Sequence, residues 1–392
     1  MAQRLRFPTS PEDYAEFYPT AYFDEGGLTD WNCGDHTYSG HHGSDFGGGS
    51  WSGMDAGRDI VAAAHGWVLD AHDGEFDRCT SGSCPGGGGW GNFVWLRHAS
   101  GQSTVYAHLA DGSVAVTPGQ VVECGDLLGL MGSSGNSTGP HLHLDVRTID
   151  DERIDPFDGP CSSQSESRWV AQGTYMELPS LDCDDSIPAC TPTELISCGA
   201  SVTAHNDDEG STDAIAFWGC EDSLQTGPEL AFEFITDRDE PVSVQVTGLE
   251  ADLDLVVLDG PACDATGCVA ASSEGNTGDE SLQFDAVAGH SYVIAIDGWD
   301  GATSSFALTT SCEGSLPVPE GGAGGGSAGA GGASVGGGGS DAAPPASPTG
   351  VPGDDGGCGC RIERGRSPSR PLVALALVMA LLPWARRRRA VR

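Results

Sequence analysis

Gly139-Pro140-His141-Leu142-His143-Leu144 places two histidines two residues apart in an apolar setting. On a β-strand residues i and i+2 point to the same face, so both imidazoles enter one site. Two convergent imidazoles suit zinc binding or proton transfer. The text around this hexapeptide, from about Asp30 to Arg147, is punctuated by glycine and period-two in its apolar residues, as in Phe93-Val94-Trp95-Leu96 and Thr104-Val105-Tyr106. That pattern predicts short antiparallel strands joined by long loops. Gly82 to Trp90, with five glycines, a proline and a cysteine behind Cys79, reads as a surface loop pinned by a small disulfide and bordering a cleft.

Upstream, His41-His42-Gly43-Ser44-Asp45-Phe46 offers an imidazole and a carboxylate four residues apart, with a glycine between them that lets the chain turn. Neutral imidazole and carboxylate are both good zinc donors, and a catalytic zinc needs only three protein ligands with one position left for water. His108 ends the strand signal Val105-Tyr106-Ala107-His108-Leu109 and is a third imidazole for general acid–base work. His42 competes with His41. His36, His65, His72 and His98 carry no spacing argument and are expected to serve packing or surface polarity.

His41 to Phe46, Tyr106 to Leu109 and Gly139 to Leu144 resemble, in this order, the three motifs of the lysostaphin and LytM-type peptidases. Ile60 to Val68, Gly91-Asn92, Pro118 to Val122 and Gly132 to Gly139 are similar to the family's supporting segments, and the resemblance covers roughly Asp30 to Arg147. It implies a zinc metalloendopeptidase that cuts peptide bonds in peptidoglycan stems or cross-bridges, with peptidoglycan peptides as its partners. It further implies one Zn2+ held by His41, Asp45 and His143. His41, not His42, has the family's spacing of four to Asp45. His108 and His141 are then the catalytic residues, placed to relay protons and to stabilise an oxyanion. Two other readings compete with this one: a noncatalytic wall-binding or activator module, and a secreted protease of broader substrate range.

Composition narrows the remaining choices. The formal charge is −39, all 18 basic residues are arginines, and nine of these follow Cys360. So acidic a body repels phosphate backbones and anionic headgroups, which excludes nucleic acid as a partner and leaves membrane contact only to the C-terminal segment. Fourteen cysteines, twelve of them ahead of the Gly/Pro-rich tail and none in a CxxC pair, point to disulfides in an oxidising compartment, with connectivity open. Met1 to Ser10 contains Arg4 and Arg6 but no apolar stretch of the length a secretory signal requires. An extracytoplasmic location is therefore expected from the cysteines and from the tail.

A second strand-rich block runs from about Ile196 to Cys312, with Val242 to Val246, Leu253 to Leu258 and Tyr292 to Ile296 as its clearest strands, and predicts a small β-sandwich. Ala251-Asp252-Leu253-Asp254-Leu255 and the closing stretch Gly289 to Thr310 resemble the bacterial pre-peptidase C-terminal domain. The acids around Asp252, Asp254, Asp297 and Asp300 are read as turn chemistry and not as a calcium site. Gly321 to Ser340 is nearly all Gly, Ala and Ser and is too poor in apolar side chains to form a core. Beyond it, Cys358-Gly359-Cys360, the apolar run Leu372 to Trp384 and Arg386 to Arg389 resemble the MYXO-CTERM sorting signal. That resemblance implies a C-terminal sorting or processing protease and anchoring at the cell surface or outer membrane, with release as the other outcome; a plain, uncleaved anchor also leaves the domains outside.

The expected fold class is all-β: an antiparallel β-sheet metallopeptidase domain and a small β-sandwich, then a disordered linker and a short C-terminal hydrophobic helix. The expected organisation is an N-terminal segment 1–29, a zinc peptidase domain 30–155, a cysteine-containing connector 156–194, a β-sandwich 195–312, a Gly/Ala/Pro-rich linker 313–357 and a sorting or anchor tail 358–392.

Overall fold

Ten short strands and one helix make up the first half: β1 (Tyr18–Ala21), β2 (Ser44–Gly47), α1 (Ser50–Ala56), β3 (Asp59–Val61), β4 (Gly66–His72), β5 (Asn92–Arg97), β6 (Ser103–Leu109), β7 (Val121–Val122), β8 (Leu127–Leu130), β9 (Leu142–Arg147) and β10 (Arg153–Ile154). The computed structural model describes residues 3–184, 186, 189–220 and 223–312, and it is mostly antiparallel β. The expected linker, C-terminal helix and sorting tail lie outside the described residues. Among the described residues no helix is long and apolar enough to cross a membrane. The main sheet runs β1-β2-β9-β6-β5-β4-β7 with β10 paired to β9, and β3 pairs with β8 separately. α1 was not expected from the sequence; it lasts seven residues and stops at Gly57, whose φ of 76° favours a residue without a Cβ.

Alternation along β9 organises the molecule. Leu142, Leu144 and Val146 are buried in the main core with Phe46, Leu96 and Tyr106, so His141, His143, Asp145 and Arg147 fall on the opposite face. The core also takes in Leu5, Phe7, Phe17 and Tyr22 from ahead of Asp30, and Phe157 and Trp169 from beyond β10. Main-chain hydrogen bonds stitch these outlying segments together: Leu5 N–H to Arg168 O (2.7 Å), Val170 N–H to Leu5 O (2.9 Å) and Phe7 N–H to Ser180 O (2.8 Å). The Phe7 ring meets Phe46 edge-on at 4.9 Å, which ties the N-terminal segment to the strand that carries Asp45. Disulfides Cys33–Cys161, Cys79–Cys84 and Cys124–Cys183 close this half.

The second half is two sheets face to face. One orders Leu195–Ile196, Leu230–Ile235, Ser291–Gly298, Leu253–Asp259 and Cys268–Ser272; the other orders Ser201–His205, Ser305–Cys312, Glu240–Thr247 and Glu280–Ala286. Phe232, Phe234, Val244, Leu255, Ile294 and Phe306 share the core between them. The first pair, Leu195–Ile196 with Leu230–Ile235, is parallel, an exception to the antiparallel rule. Tyr292 to Ile296 is continuously apolar because both faces are covered: Ile294 and Ile296 enter the sandwich core, while Val293 and Ala295 join a second cluster with Trp218, Phe217 and Trp67 of β4. The Trp67 and Phe217 rings meet edge-on at 5.1 Å, and a Cβ on Gly219 would collide with the Trp67 indole. Cys190–Cys263, Cys198–Cys312 and Cys220–Cys268 complete six disulfides among the described residues.

Candidate metal centre

Antiparallel register brings the site together. β2 pairs with β9 so that Asp45 lies opposite His143, and β6 pairs with β9 so that Ala107 lies opposite His143 on the other side. His141 stands just ahead of β9 on the same face as His143. His41 enters from the loop before β2. Its main-chain oxygen accepts from Asp24 N–H (2.8 Å), and its ring stacks on Tyr38 at 4.2 Å. Gly43 leaves room for these rings, since a Cβ there would lie 2.5 Å from His143 Cε1.

His108 departs from simple alternation. Strand parity would send it to the core side, with Tyr106, but its φ of 64° breaks the extended backbone and swings the ring into the site. Its N–H donates to Trp90 O (2.8 Å) and its Nδ1–H to Ser134 O (2.7 Å), which hold the strained conformation in place. The ring then sits 4.8 Å from His141 and 5.6 Å from His143, centroid to centroid.

Each of the four histidines spends one nitrogen on a fixed acceptor and keeps the other for the site. Nδ1–H donates to Tyr22 O in His41 (2.7 Å), to Ser134 O in His108 and to Gly139 O in His141 (2.8 Å). His143 is reversed, with Nε2–H donating to Asp145 Oδ1 (2.7 Å), so its Nδ1 faces inward. Asp45 Oδ1 lies 2.8 Å from His143 Nδ1 and 3.1 Å from His41 Nε2, and one ligand atom from each of the three residues falls within 4.8 Å of the others. Two imidazole nitrogens and one carboxylate oxygen, converging inward with their far sides anchored, fit a zinc ion, which would take the place of the proton shared between His143 Nδ1 and Asp45 Oδ1.

Electrostatics point the same way. Burial would raise the Asp45 carboxyl, yet the charge and hydrogen bonds of His141, His143 and His41 outweigh it and hold Asp45 well below the usual carboxylate range. Burial likewise opposes a charge on His143, but Asp145 and Asp45 together raise it to about 10. The two carboxylates therefore pull positive charge to the point where the donors meet. His108 goes the other way: burial, reinforced by His141 and His143, pushes it down to about 3, so it stays neutral.

Residues 39–156 match the model described as Peptidase family M23. This segment is a Peptidase family M23 domain. DD-carboxypeptidase/endopeptidase Mpg of Neisseria meningitidis is 48% identical over 69 residues, 18% of this chain and 15% of that protein. Peptidoglycan DD-endopeptidase ShyB of Vibrio cholerae is 34% identical over 87 residues, 21% of this chain and 20% of that protein. The chain thus spans no more than a fifth of the length of these two curated relatives. Among solved structures, the pre-peptidase C-terminal domain of collagenase from Bacillus anthracis is similar at 10% identity and a TM-score of 0.22, over 30% of this chain and 95% of that one.

The M23 domain leaves the competing histidines outside the centre. His42 is exposed and packs on Phe23 at 5.5 Å. His98 is buried, donating to His65 O (2.7 Å) and bonded to Thr104 Oγ1 (3.0 Å), and burial lowers it to about 4. His72 pairs with Glu75 (2.9 Å), and the His36 ring meets Tyr22 edge-on.

Sequence reasoning passed over Asp145 and Tyr38. Tyr38 is half exposed, and its hydroxyl donates to Asp45 Oδ2 (3.2 Å), satisfying the carboxylate's second oxygen. Asp145 receives His143 on Oδ1 and Arg147 and Arg153 on Oδ2 (3.0 and 2.8 Å). The period-two rule that picked out His141 and His143 reaches Asp145 at the next step. Asp145→Asn keeps the shape but loses the charge that orients His143; zinc affinity, read by competition with a chromophoric chelator, is expected to fall roughly 10- to 100-fold. An affinity within about twofold of the parent would remove Asp145 from the site.

The cavity over the centre has a volume of about 260 Å³, and Tyr38, Gly40, Gly88, Gly89, Trp90, Asn136 and Arg153 line it around the histidines. The glycine loop expected at the border of a cleft, after the Cys79–Cys84 disulfide, supplies three of those residues.

Proposed function

We propose that this chain is a zinc metalloendopeptidase that hydrolyses peptide bonds in bacterial peptidoglycan stems or cross-bridges. The observation that carries this reading is the set of three inward-facing donors on His41, Asp45 and His143, flanked by the rings of His108 and His141, each anchored through Nδ1. Zinc, when bound there, supplies a Lewis acid for the peptide carbonyl and a water of lowered pKa. His41, Asp45 and His143 would hold it, with Asp145 orienting the ring of His143. His108, neutral and with its Nδ1–H committed to Ser134, would present the Nε2 lone pair as the group that takes up a proton during attack and gives it to the leaving amine. His141, with Nδ1–H committed to Gly139, directs Nε2 toward the developing oxyanion.

The peptidoglycan assignment is supported by the M23 match and by the activities for which the two relatives are named. A small cleft walled by Gly40, Gly88 and Gly89 suits a thin peptide better than a folded chain. An extracytoplasmic location is supported by the six disulfides. Surface anchoring through the tail, with a sorting or processing protease as partner, and a pre-peptidase C-terminal-like role for residues 195–312 belong to the same proposal.

The test is to incubate the full chain with purified peptidoglycan and, separately, with casein, with and without chelator, and to identify released fragments by mass spectrometry. Chelator-sensitive cleavage of peptide bonds in peptidoglycan, with casein little touched, is the expected result. Equal turnover of both substrates would sink the cell-wall assignment.

A further inference from the structure

Among the described residues, Arg153 is the only arginine in the wall of the catalytic cavity. Nine arginines precede Cys360 in a body that carries 56 acids over the same stretch, so a cation at this position calls for a local cause. β10 pairs with β9 so that Arg153 lies opposite Arg147 while Ile154, opposite Val146, turns into the core. The two guanidinium groups differ in how much of them is used. Arg147 is buried, bridges Asp145 Oδ2 and Asp151 Oδ1 at 3.0 Å each, and lies over Trp95 and Trp90. Arg153 gives only Nε, to Asp145 Oδ2 (2.8 Å), and its side chain is 39% exposed. Its Nη1 and Nη2 make no hydrogen bond or ion pair to any described residue.

Asp145 is met on Oδ1 by the Nε2–H of His143 and on Oδ2 by Arg147, and the part of Arg153 that it engages is Nε alone. What Arg153 adds is an open Nη1–Nη2 edge, with Trp90 on one side of it (5.9 Å to the ring centroid) and the Asn136 amide elsewhere in the same wall. A planar pair of donors at that spacing matches the two oxygens of a carboxylate. We propose that Arg153 is the receptor for a free carboxylate on the substrate, and that this contact selects peptides carrying such a group near the scissile bond over neutral glycine bridges. The proposal rests on the peptidase reading of the site and narrows it. Between the open edge and the inward Nδ1 of His143 lie two hydrogen bonds, the Asp145 carboxylate and one imidazole ring. About three extended residues at ~3.4 Å each cover that span, which places the carboxylate within about three residues of the bond that is cut.

The experiment uses the zinc-loaded full chain and two peptide dimers cross-linked through D-alanine, identical except that one carries free α-carboxylates and the other the corresponding carboxamides. The parent chain is expected to prefer the carboxylate form by roughly 10- to 100-fold in kcat/KM, mainly through KM. In Arg153→Gln the preference is expected to shrink to within about twofold, and Arg153→Lys, with a point charge in place of the fork, to keep part of it. Binding of the two dimers to chelator-treated parent chain, read by calorimetry without turnover, is expected to show the same order. Equal rates on both dimers in the parent chain would overturn the proposal. So would an equal loss on both in Arg153→Gln, the result expected if the side chain only supports Asp145. Failure of the parent chain to cleave either dimer or whole peptidoglycan would instead bring down the peptidase reading itself.

Discussion

His143→Ala is expected to lower peptidoglycan cleavage by roughly 10^3-fold or more and to reduce bound zinc from one per chain to a small fraction. The ring supplies one of three inward donors, and the two that remain, His41 Nε2 and Asp45 Oδ1, fall short of the three protein ligands of a catalytic zinc with one position left for water. The substitution should leave the fold standing, because Asp145 keeps Arg147 and Arg153 and the core face of β9, with Leu142 and Leu144, is unchanged. Metal analysis and a kcat/KM measurement on the same preparation check this, with thermal unfolding as the control for folding. Zinc retained at one equivalent with activity within about tenfold of the parent would take His143 out of the ligand set.

His108→Ala should separate chemistry from metal binding. A loss of roughly 10^2- to 10^4-fold in kcat is expected, with zinc content near one per chain. His108 lies outside the set of three converging ligand atoms, yet its ring is within 5.6 Å of His143, and it is held by Trp90 and Ser134 in a backbone conformation that a non-glycine residue seldom adopts. Removal of the ring deletes the Nε2 lone pair and leaves that strain without its Nδ1–H bond to Ser134. A kcat within about threefold of the parent would reassign proton transfer to His141.

Much of this centre was legible in the sequence because its parts obey short periods. The alternation of His141, Leu142, His143 and Leu144 assigned faces correctly, and the strands around Phe93, Thr104, Val242, Leu253 and Tyr292 all appear where their β-branched and aromatic residues lie. What escaped depends on contacts between distant, non-periodic residues. Phe7 and Trp169 sit in stretches without alternation, and only the folded chain brings them against Phe46 and Phe157. Arg153 occupies a two-residue strand, too short for any pattern to assign its face. Asp145 was within reach of the same two-residue step, but a lone acid after an HxH pair reads as an ordinary exposed residue until its three donors are seen. The positive φ of His108 carries no sequence signal, since such strain is normally marked by glycine or asparagine.

The most direct test is a zinc titration of the metal-stripped full chain, with peptide cleavage of peptidoglycan followed at each step. Activity rising linearly and levelling off at one zinc per chain, with no such rise for His143→Ala, is the result predicted by a single catalytic zinc on His41, Asp45 and His143. Cleavage by the stripped chain, or one tightly bound zinc with no peptide bond cut, would contradict it, and the second outcome would make this M23 domain a noncatalytic wall-binding module.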